Sequence, residues 1–438
     1  MPESPTPGGD GAAMCADGRD RRSSTVSPSD DRGGSGVFAM VLLVLGAACL
    51  LWGFYRFVSG YLLVGKVGDF AVYYEAAQAL LHHLPVYEKA ITSPNGFLYP
   101  PVSLGLFVLF APFSPQVAYC LFAAVVYGST AVASWLFLRQ VAAAAGKPVS
   151  RLMLIACAVF GLGFAPTYLN VIAGQVNTLV LLLCVFYLYL LDRRPFFAGV
   201  LLGLAAWIKV YPVLLGLFVF AHSRYRNVLL GLACVFFAAP LLLAWLVPVN
   251  LYRDYFFSVL PQVSRIGTVH IYNQSIAAAV HRFFRPLADA FNWEVYTLST
   301  VAQGVSTLVL SASAIVVLLW LRRDVAARKN AGFALLLALI PMLVSLGWGY
   351  TYVLVLPLIF MLLLHAAERG IWWQAAVLIL ISGFCIPSYS EVQVINRLPE
   401  ILAQVFYARY PLATLAMVIA ALVVLGRGTD PAERSTDQ

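Results

Sequence analysis

A succession of apolar runs, most of them close to twenty residues long and separated by short polar or basic loops, leaves this chain few folds to choose from. A bilayer core about 30 Å thick requires about twenty apolar residues for a helical crossing. Inside lipid, backbone groups find partners only within a helix or a closed barrel. The runs lack the period-two alternation of barrel strands, so the fold class is all-α, a polytopic transmembrane helical protein. A mean hydropathy of +0.84, with 61% hydrophobic and only 11% charged residues, agrees. The formal net charge of +8 comes from Lys and Arg scattered between the runs, which read as topology signals and give no support to a nucleic-acid partner.

Residues 1–36, rich in Gly, Ser, Pro, Asp and Arg, are expected to be a disordered cytoplasmic tail and not a signal peptide. The membrane domain is expected over 37–427, with a cytoplasmic tail at 428–438. The most basic short loop, Arg322 to Lys329, should be cytoplasmic, and the other loops are counted from it. Arg139, Lys147, Arg151, Asp192-Arg193-Arg194, Arg224 and Arg226 then also lie inside. The stretch 195–223 begins and ends inside, so it reads as a hairpin of two short helices with Lys209 at its outer tip. Outer loops fall at 59–100 and 249–297. The apolar segment 101–113, bounded by Pro101 and Pro112, is too short for a full crossing and reads as a re-entrant or half-inserted helix. The count comes to about twelve spans, with amphipathic helices at about 70–84 and 271–285 near the outer surface.

This count places Asp69, Tyr99, Gln175, Asn177, Lys209, Tyr211 and Asn273 on one side. Asp69 can serve as a general base for a hydroxyl nucleophile, or can cap the helix that begins near Phe70. Lys209, flanked by apolar residues, either faces a polar cavity that holds an anion or snorkels to the interface. Gln175 and Asn177, at a helix start, suit an anion or a sugar hydroxyl, or else capping and interhelical bonding. Asn273, Gln274 and Ser275 carry the same two readings. Arg282 and Arg285 read as anchors of an interfacial helix. Seven cysteines without a CxxC spacing indicate neither a disulfide framework nor a zinc site. P-loop, GxGxxG and HExxH motifs do not occur, and no DxD or DxE accompanies Asp69.

Five segments in order, GDFAVYYEAAQALLHHLPVYE, FLYPPVSLGLFVLFAP, GQVNTLVLLL, AGVLLGLAAWIKVYPVLL and NQSIAAAVHRF, together resemble glycosyltransferase family 87, the polyprenyl-phosphate-mannose-dependent mannosyltransferases. The resemblance runs from about residue 40 to 365. It implies the C-type glycosyltransferase fold, a catalytic carboxylate in the first outer loop corresponding to Asp69, and a lipid phosphate-linked sugar as donor. It further implies an integral inner-membrane enzyme with its active site facing the extracytoplasmic side. Such an enzyme would transfer a hexose, mannose foremost, to a lipid-linked or envelope glycan acceptor with inversion. Lys209, Tyr211, Gln175, Asn177, Tyr99 and Asn273 would bind the donor phosphate and sugar. Family members often carry a histidine where this chain reads Tyr350, Thr351 and Tyr352. His82, His83, His270 and Tyr350 are therefore the candidates for acceptor contact or proton relay, His270 being a possible substitute for the missing histidine. No cofactor beyond the lipid donor and no metal ligands are expected. A pentosyl transferase with the same carrier, or a flippase of lipid-linked sugars, stands as the alternative.

Overall fold

The computed structural model describes residues 31–65, 67–92, 96–145, 149–263, 266–292, 296–297, 299–369, 371, 395 and 397–427. The expected tails, apart from 31–36, and Lys147, Cys15 and Cys385 lie outside these residues. The first helix, Asp31–Phe57, already runs through the end of the expected tail. Among the described residues, six helices are long and apolar enough to cross a membrane, or up to eight if two bent pairs each count as one span. The other apolar helices are shorter, among them Pro101–Phe110, Asn177–Leu190, Pro195–Ile208 and Tyr211–Ala221. Asn177–Leu190 has 14 residues and so rises about 21 Å, short of the hydrocarbon thickness. Among the described residues, β-structure amounts to one two-residue antiparallel ladder, Ile266–Gly267 with Tyr296–Thr297, and a bridge between Asn273 and Trp348.

Small residues let helices meet backbone to backbone, as apolar side chains gain little by leaving lipid for each other. Gly46 lies against the backbone of Phe160, and Gly163 against the Gly46 carbonyl, which seats the first helix along Arg151–Gly163. Gly199 and Gly231 do the same for Pro195–Ile208 and Asn227–Leu242. Arg151–Gly163 and Ala165–Ala173 meet at a 42° bend, where Phe164 is extended and the Thr167 hydroxyl donates to the Gly161 carbonyl. That bond satisfies a carbonyl freed by the break.

Two cores result. One is formed by the packed spans, with Val325–Leu343 at its centre and nearly all of its residues buried. The other lies at the end that carries the first loop. There, the Phe70–Leu81 helix turns Phe70, Tyr73, Ala77 and Leu80 inward at helical spacing. Tyr73 stacks on Phe107 with ring centroids 4.3 Å apart, and Phe70 packs on Phe122 at 5.0 Å. The short Pro101–Phe110 segment, a mixture of 3₁₀ and α turns, thus forms the floor under this helix.

The loops expected inside gather at the far end of the hairpin from Lys209. Asp192 pairs with Arg224 at 2.9 Å and with Lys329, and accepts from the Tyr225 hydroxyl at 2.8 Å. Arg322 donates to the Phe220 carbonyl. Arg282 departs from the anchoring role expected of it. It is only 1% exposed, and its guanidinium donates to the carbonyls of Asn273 at 2.8 Å and Tyr407 at 3.0 Å, with His270 at 3.3 Å. Carbonyls at loop ends solvate the charge in place of water or a carboxylate.

Candidate active site

Two glycines with positive φ bring the first loop to the end of the Ala165–Ala173 helix. Gly174, at φ +67°, ends that helix in the left-handed conformation, and a Cβ there would lie 2.8 Å from the Phe70 nitrogen. Gly68, at φ +55°, abuts the Ile172 carbonyl. The mutual approach sets Asp69 beside Gln175, whose Nε2 donates to Asp69 Oδ2 at 3.0 Å. Asp69 occupies the N-cap position of Phe70–Leu81 but makes no capping hydrogen bond, so its carboxylate is committed to Gln175 instead.

Lys209 follows the last residue of Pro195–Ile208 in extended conformation, before the turn that contains Pro212. Its ammonium donates to Gln175 Oε1 at 3.1 Å and to Asn177 Oδ1 at 3.0 Å. An ammonium only donates and a carboxylate only accepts, so the Gln175 amide between them has a single workable orientation. Asn177 Oδ1 also accepts from the Tyr211 hydroxyl at 2.6 Å. Asn177 Nδ2 in turn donates to Asn170 Oδ1 at 2.8 Å, and Asn170 Nδ2 to the Tyr350 carbonyl at 2.6 Å. One polarised chain of hydrogen bonds therefore runs from Asp69 through Lys209 to the late segment of Tyr350.

Tyrosines wall this network. The Tyr73 and Tyr99 hydroxyls lie 2.6 Å apart, both within 3.0 Å of Gln175 Oε1. Tyr87 holds Tyr99 by donating to its carbonyl at 2.6 Å. The Lys209 ammonium stands 5.2 Å from the Tyr99 ring centroid, 5.6 Å from that of Tyr350 and 5.9 Å from that of Tyr211. Ring faces at that range favour a cation. Among the described residues, no carboxylate lies within ion-pair distance of Lys209 and only two of its three N–H donors have protein acceptors. Asp69 keeps an exposed surface, yet protein packed around it withholds enough water to raise its pKa. The Gln175 hydrogen bond and the Lys209 charge pull the other way without cancelling that effect.

Of the residues expected at the site, Asp69, Tyr99, Gln175, Asn177, Lys209, Tyr211 and Tyr350 do assemble. Asn273 does not join them. Its Nδ2 donates to the carbonyls of Thr268 and Ser345, and its Oδ1 accepts from the Ser275 nitrogen, so it ties the second loop to the late segment. His82 and His83 are exposed at the opposite end of the twelve-residue Phe70–Leu81 helix, about 18 Å of helix away from Asp69. His270 is buried, and its Nδ1 accepts from the Tyr272 nitrogen. Burial and then the Arg282 charge depress its pKa to about 4, which holds it neutral near pH 7. Tyr73 and Asn170, absent from the expected set, are integral to the network. Tyr73 follows Asp69 by four residues, one helical turn, which is the signal that could have found it. Asn170 is a lone amide in an apolar run whose partner is visible only in three dimensions.

Fold and site define a multi-pass helical membrane protein with a hydrogen-bonded acid, amide and lysine centre at one end. A profile described as Glycosyltransferase family 87 matches residues 97–346, more than half of the chain. The chain belongs to that family and is a membrane glycosyltransferase. It is 25% identical over 413 residues to the polyprenol-phosphate-mannose-dependent alpha-(1-2)-phosphatidylinositol mannoside mannosyltransferase of Mycobacterium tuberculosis (strain ATCC 25618 / H37Rv), covering 87% of this chain and 92% of that protein. It is 32% identical over 207 residues, 45% of each chain, to the polyprenol-phosphate-mannose-dependent alpha-(1-2)-phosphatidylinositol pentamannoside mannosyltransferase of Mycolicibacterium smegmatis (strain ATCC 700084 / mc(2)155). The matched family range includes Tyr99, Gln175, Asn177, Lys209 and Tyr211, while Asp69 precedes it.

Proposed function

We propose that this enzyme transfers mannose from a polyprenyl phosphate to a hydroxyl of a glycolipid, with inversion, Asp69 acting as general base. The single observation that carries the reading is the Lys209 ammonium, held by two neutral amides and three tyrosine rings with one N–H left to donate. A half-buried cation so placed suits a phosphate oxygen. Both relatives are named for polyprenol-phosphate-mannose, the donor adopted here. The acceptor O–H gives its proton to the Asp69 carboxylate while its oxygen bonds to the anomeric carbon. The bond from that carbon to the phosphate oxygen breaks on the opposite face, and the polyprenyl phosphate leaves with the electron pair. Charge grows on that phosphate as the bond breaks, so Lys209 binds the transition state more tightly than the donor.

The same reading takes the chain as a C-type glycosyltransferase of about twelve spans in the plasma membrane. Its site would face the extracytoplasmic side, where activated sugars arrive on lipid carriers. The test is transfer of radiolabelled mannose from polyprenyl phosphate mannose to membrane glycolipids, in vesicles with the wild type or with Asp69→Asn. Label with the wild type alone is the expected result. Equal label with both would remove Asp69 from its role, and none with either would remove mannose as the sugar.

A further inference from the structure

A second polar group, at the end of the first helix, takes no part in the network around Lys209. Arg56 stands in the last turn of the Asp31–Phe57 helix, exposed, with its guanidinium 6.0 Å from the Trp52 ring centroid. The Tyr168 phenol lies within electrostatic reach of it, and among the described residues no carboxylate lies within ion-pair distance of it. The Tyr61 side chain, in the π-helical turn that follows, packs on the core that holds Phe57, Phe70 and Tyr119, and lies within electrostatic reach of Arg56, Asp69 and Tyr272.

Packing fixes this arrangement. Gly53 lies under the Tyr168 ring, where a Cβ would come within 3.1 Å of it. Phe57 meets Tyr119 with centroids 5.4 Å apart, and the Tyr119 hydroxyl donates to the Val171 carbonyl at 2.8 Å. The end of the first helix is thereby pinned to Ala165–Ala173, the helix that leads into Gln175. Tyr272 comes from the second loop, whose carbonyl accepts from the Gly349 nitrogen next to Tyr350. Tyr61 and Tyr168 are half-buried and Tyr272 is 36% exposed, so all three phenols offer surface.

We propose that Arg56, with Tyr61, Tyr168 and Tyr272, forms the acceptor subsite, and that it takes an anionic glycolipid whose phosphate sits on the guanidinium. The inference rests on Asp69 as the base. A lipid acceptor keeps its chains in the bilayer, so its phosphate lies level with the end of a span, and only its sugar rises to the reacting carboxylate. Arg56 occupies that level, one loop before Asp69. A guanidinium matches phosphate in a bidentate way, and the phenols supply apolar faces and hydroxyls to the sugar between the two. Lys209 and Arg56 would then divide two phosphates between them, the donor's and the acceptor's.

The experiment compares a mannosylated phosphatidylinositol with uncharged octyl mannoside as acceptors, for wild type, Arg56→Gln and Arg56→Lys in phosphatidylcholine nanodiscs. Arg56→Gln should raise KM for the charged acceptor about tenfold or more, as loss of a charge-assisted pair would. KM for octyl mannoside and for the donor should stay within about twofold, and Arg56→Lys should restore part of the affinity. An unchanged KM for the charged acceptor, or an equal loss for both acceptors, would reduce Arg56 to an interfacial anchor and overturn the proposal. Binding of the same phosphatidylinositol mannoside is also measured on Asp69→Asn with and without Arg56→Gln, which needs no turnover. Weaker binding in the double variant supports the subsite even if Asp69→Asn proves active and the base reading fails. Equal binding in both overturns the subsite whatever Asp69 does.

Discussion

Asp69 and Lys209 are joined through a single amide and not by an ion pair. Gln175 donates to the carboxylate at 3.0 Å and accepts from the ammonium at 3.1 Å, so each charge keeps a face for a substrate. A direct pair would neutralise both groups. Asp69→Asn should accordingly lower kcat by at least about a hundredfold, the scale of lost general base catalysis, with donor binding nearly intact. Steady-state transfer combined with donor binding on the same preparation checks both parts.

The raised pKa of Asp69 fixes the sign of a pH effect. A base works only when ionised, so the acid limb of kcat/KM should lie above the ordinary aspartate value of about 3.9. The Gln175 hydrogen bond favours the ionised form, and Gln175→Leu should move that limb to still higher pH. A pH–rate profile of the two proteins checks the direction; a shift toward acid in the variant would contradict it.

Linkage gives a companion expectation for stability. A carboxyl whose folded pKa lies above its unfolded value stabilises the fold when protonated, and that contribution is lost as pH rises through the folded pKa. At neutral pH the ionised Asp69 therefore opposes folding. Asp69→Asn should melt no lower than wild type at pH 7, measured by thermal unfolding in detergent, so its inactivity would not stem from a damaged fold.

Lys209→Met should reduce kcat by about a hundredfold or more, as removal of a donor aimed at developing charge does. It also leaves Gln175 Oε1 and Asn177 Oδ1 without their cation, so donor affinity should fall as well. Single-turnover kinetics separates the two effects, and unchanged values for both would remove Lys209 from the phosphate.

Gly174→Ala tests the joint that brings Asp69 to Gln175. The new Cβ would meet the Phe70 backbone, and the left-handed conformation costs an L-residue about 1–3 kcal/mol. Transfer should fall with the melting temperature, whereas Gly128→Ala, at a glycine with open space around it, should leave both near wild type.

Much of the site was legible because its chemistry is rare in its setting. Asp69, Lys209, Gln175 and Asn177 are polar residues among apolar runs, and a membrane chain carries such groups at a cost. His82 and His83 were drawn in by closeness in sequence to Asp69, but a helix of twelve residues carries them away from it. Asn273 and Arg282 differ in another way, since their polar atoms serve backbone carbonyls, among them those of the remote Ser345 and Tyr407. Such partners leave no local pattern.

The sequence by itself determined that this chain is a bundle of membrane helices, because lipid offers the backbone no other partner, and that its basic loops share one end. It also marked the acid, the lysine and the amides as the residues with chemistry to perform. Only the tertiary structure decided which of them meet. The joining of Asp69 to Gln175 depends on Gly68 and Gly174 packing backbone to backbone across about a hundred residues of chain. The orientation of each amide depends on having a carboxylate at one end of the network and an ammonium in its middle. Both are relations between distant segments, fixed by packing and by hydrogen-bond polarity, and no window of sequence contains them.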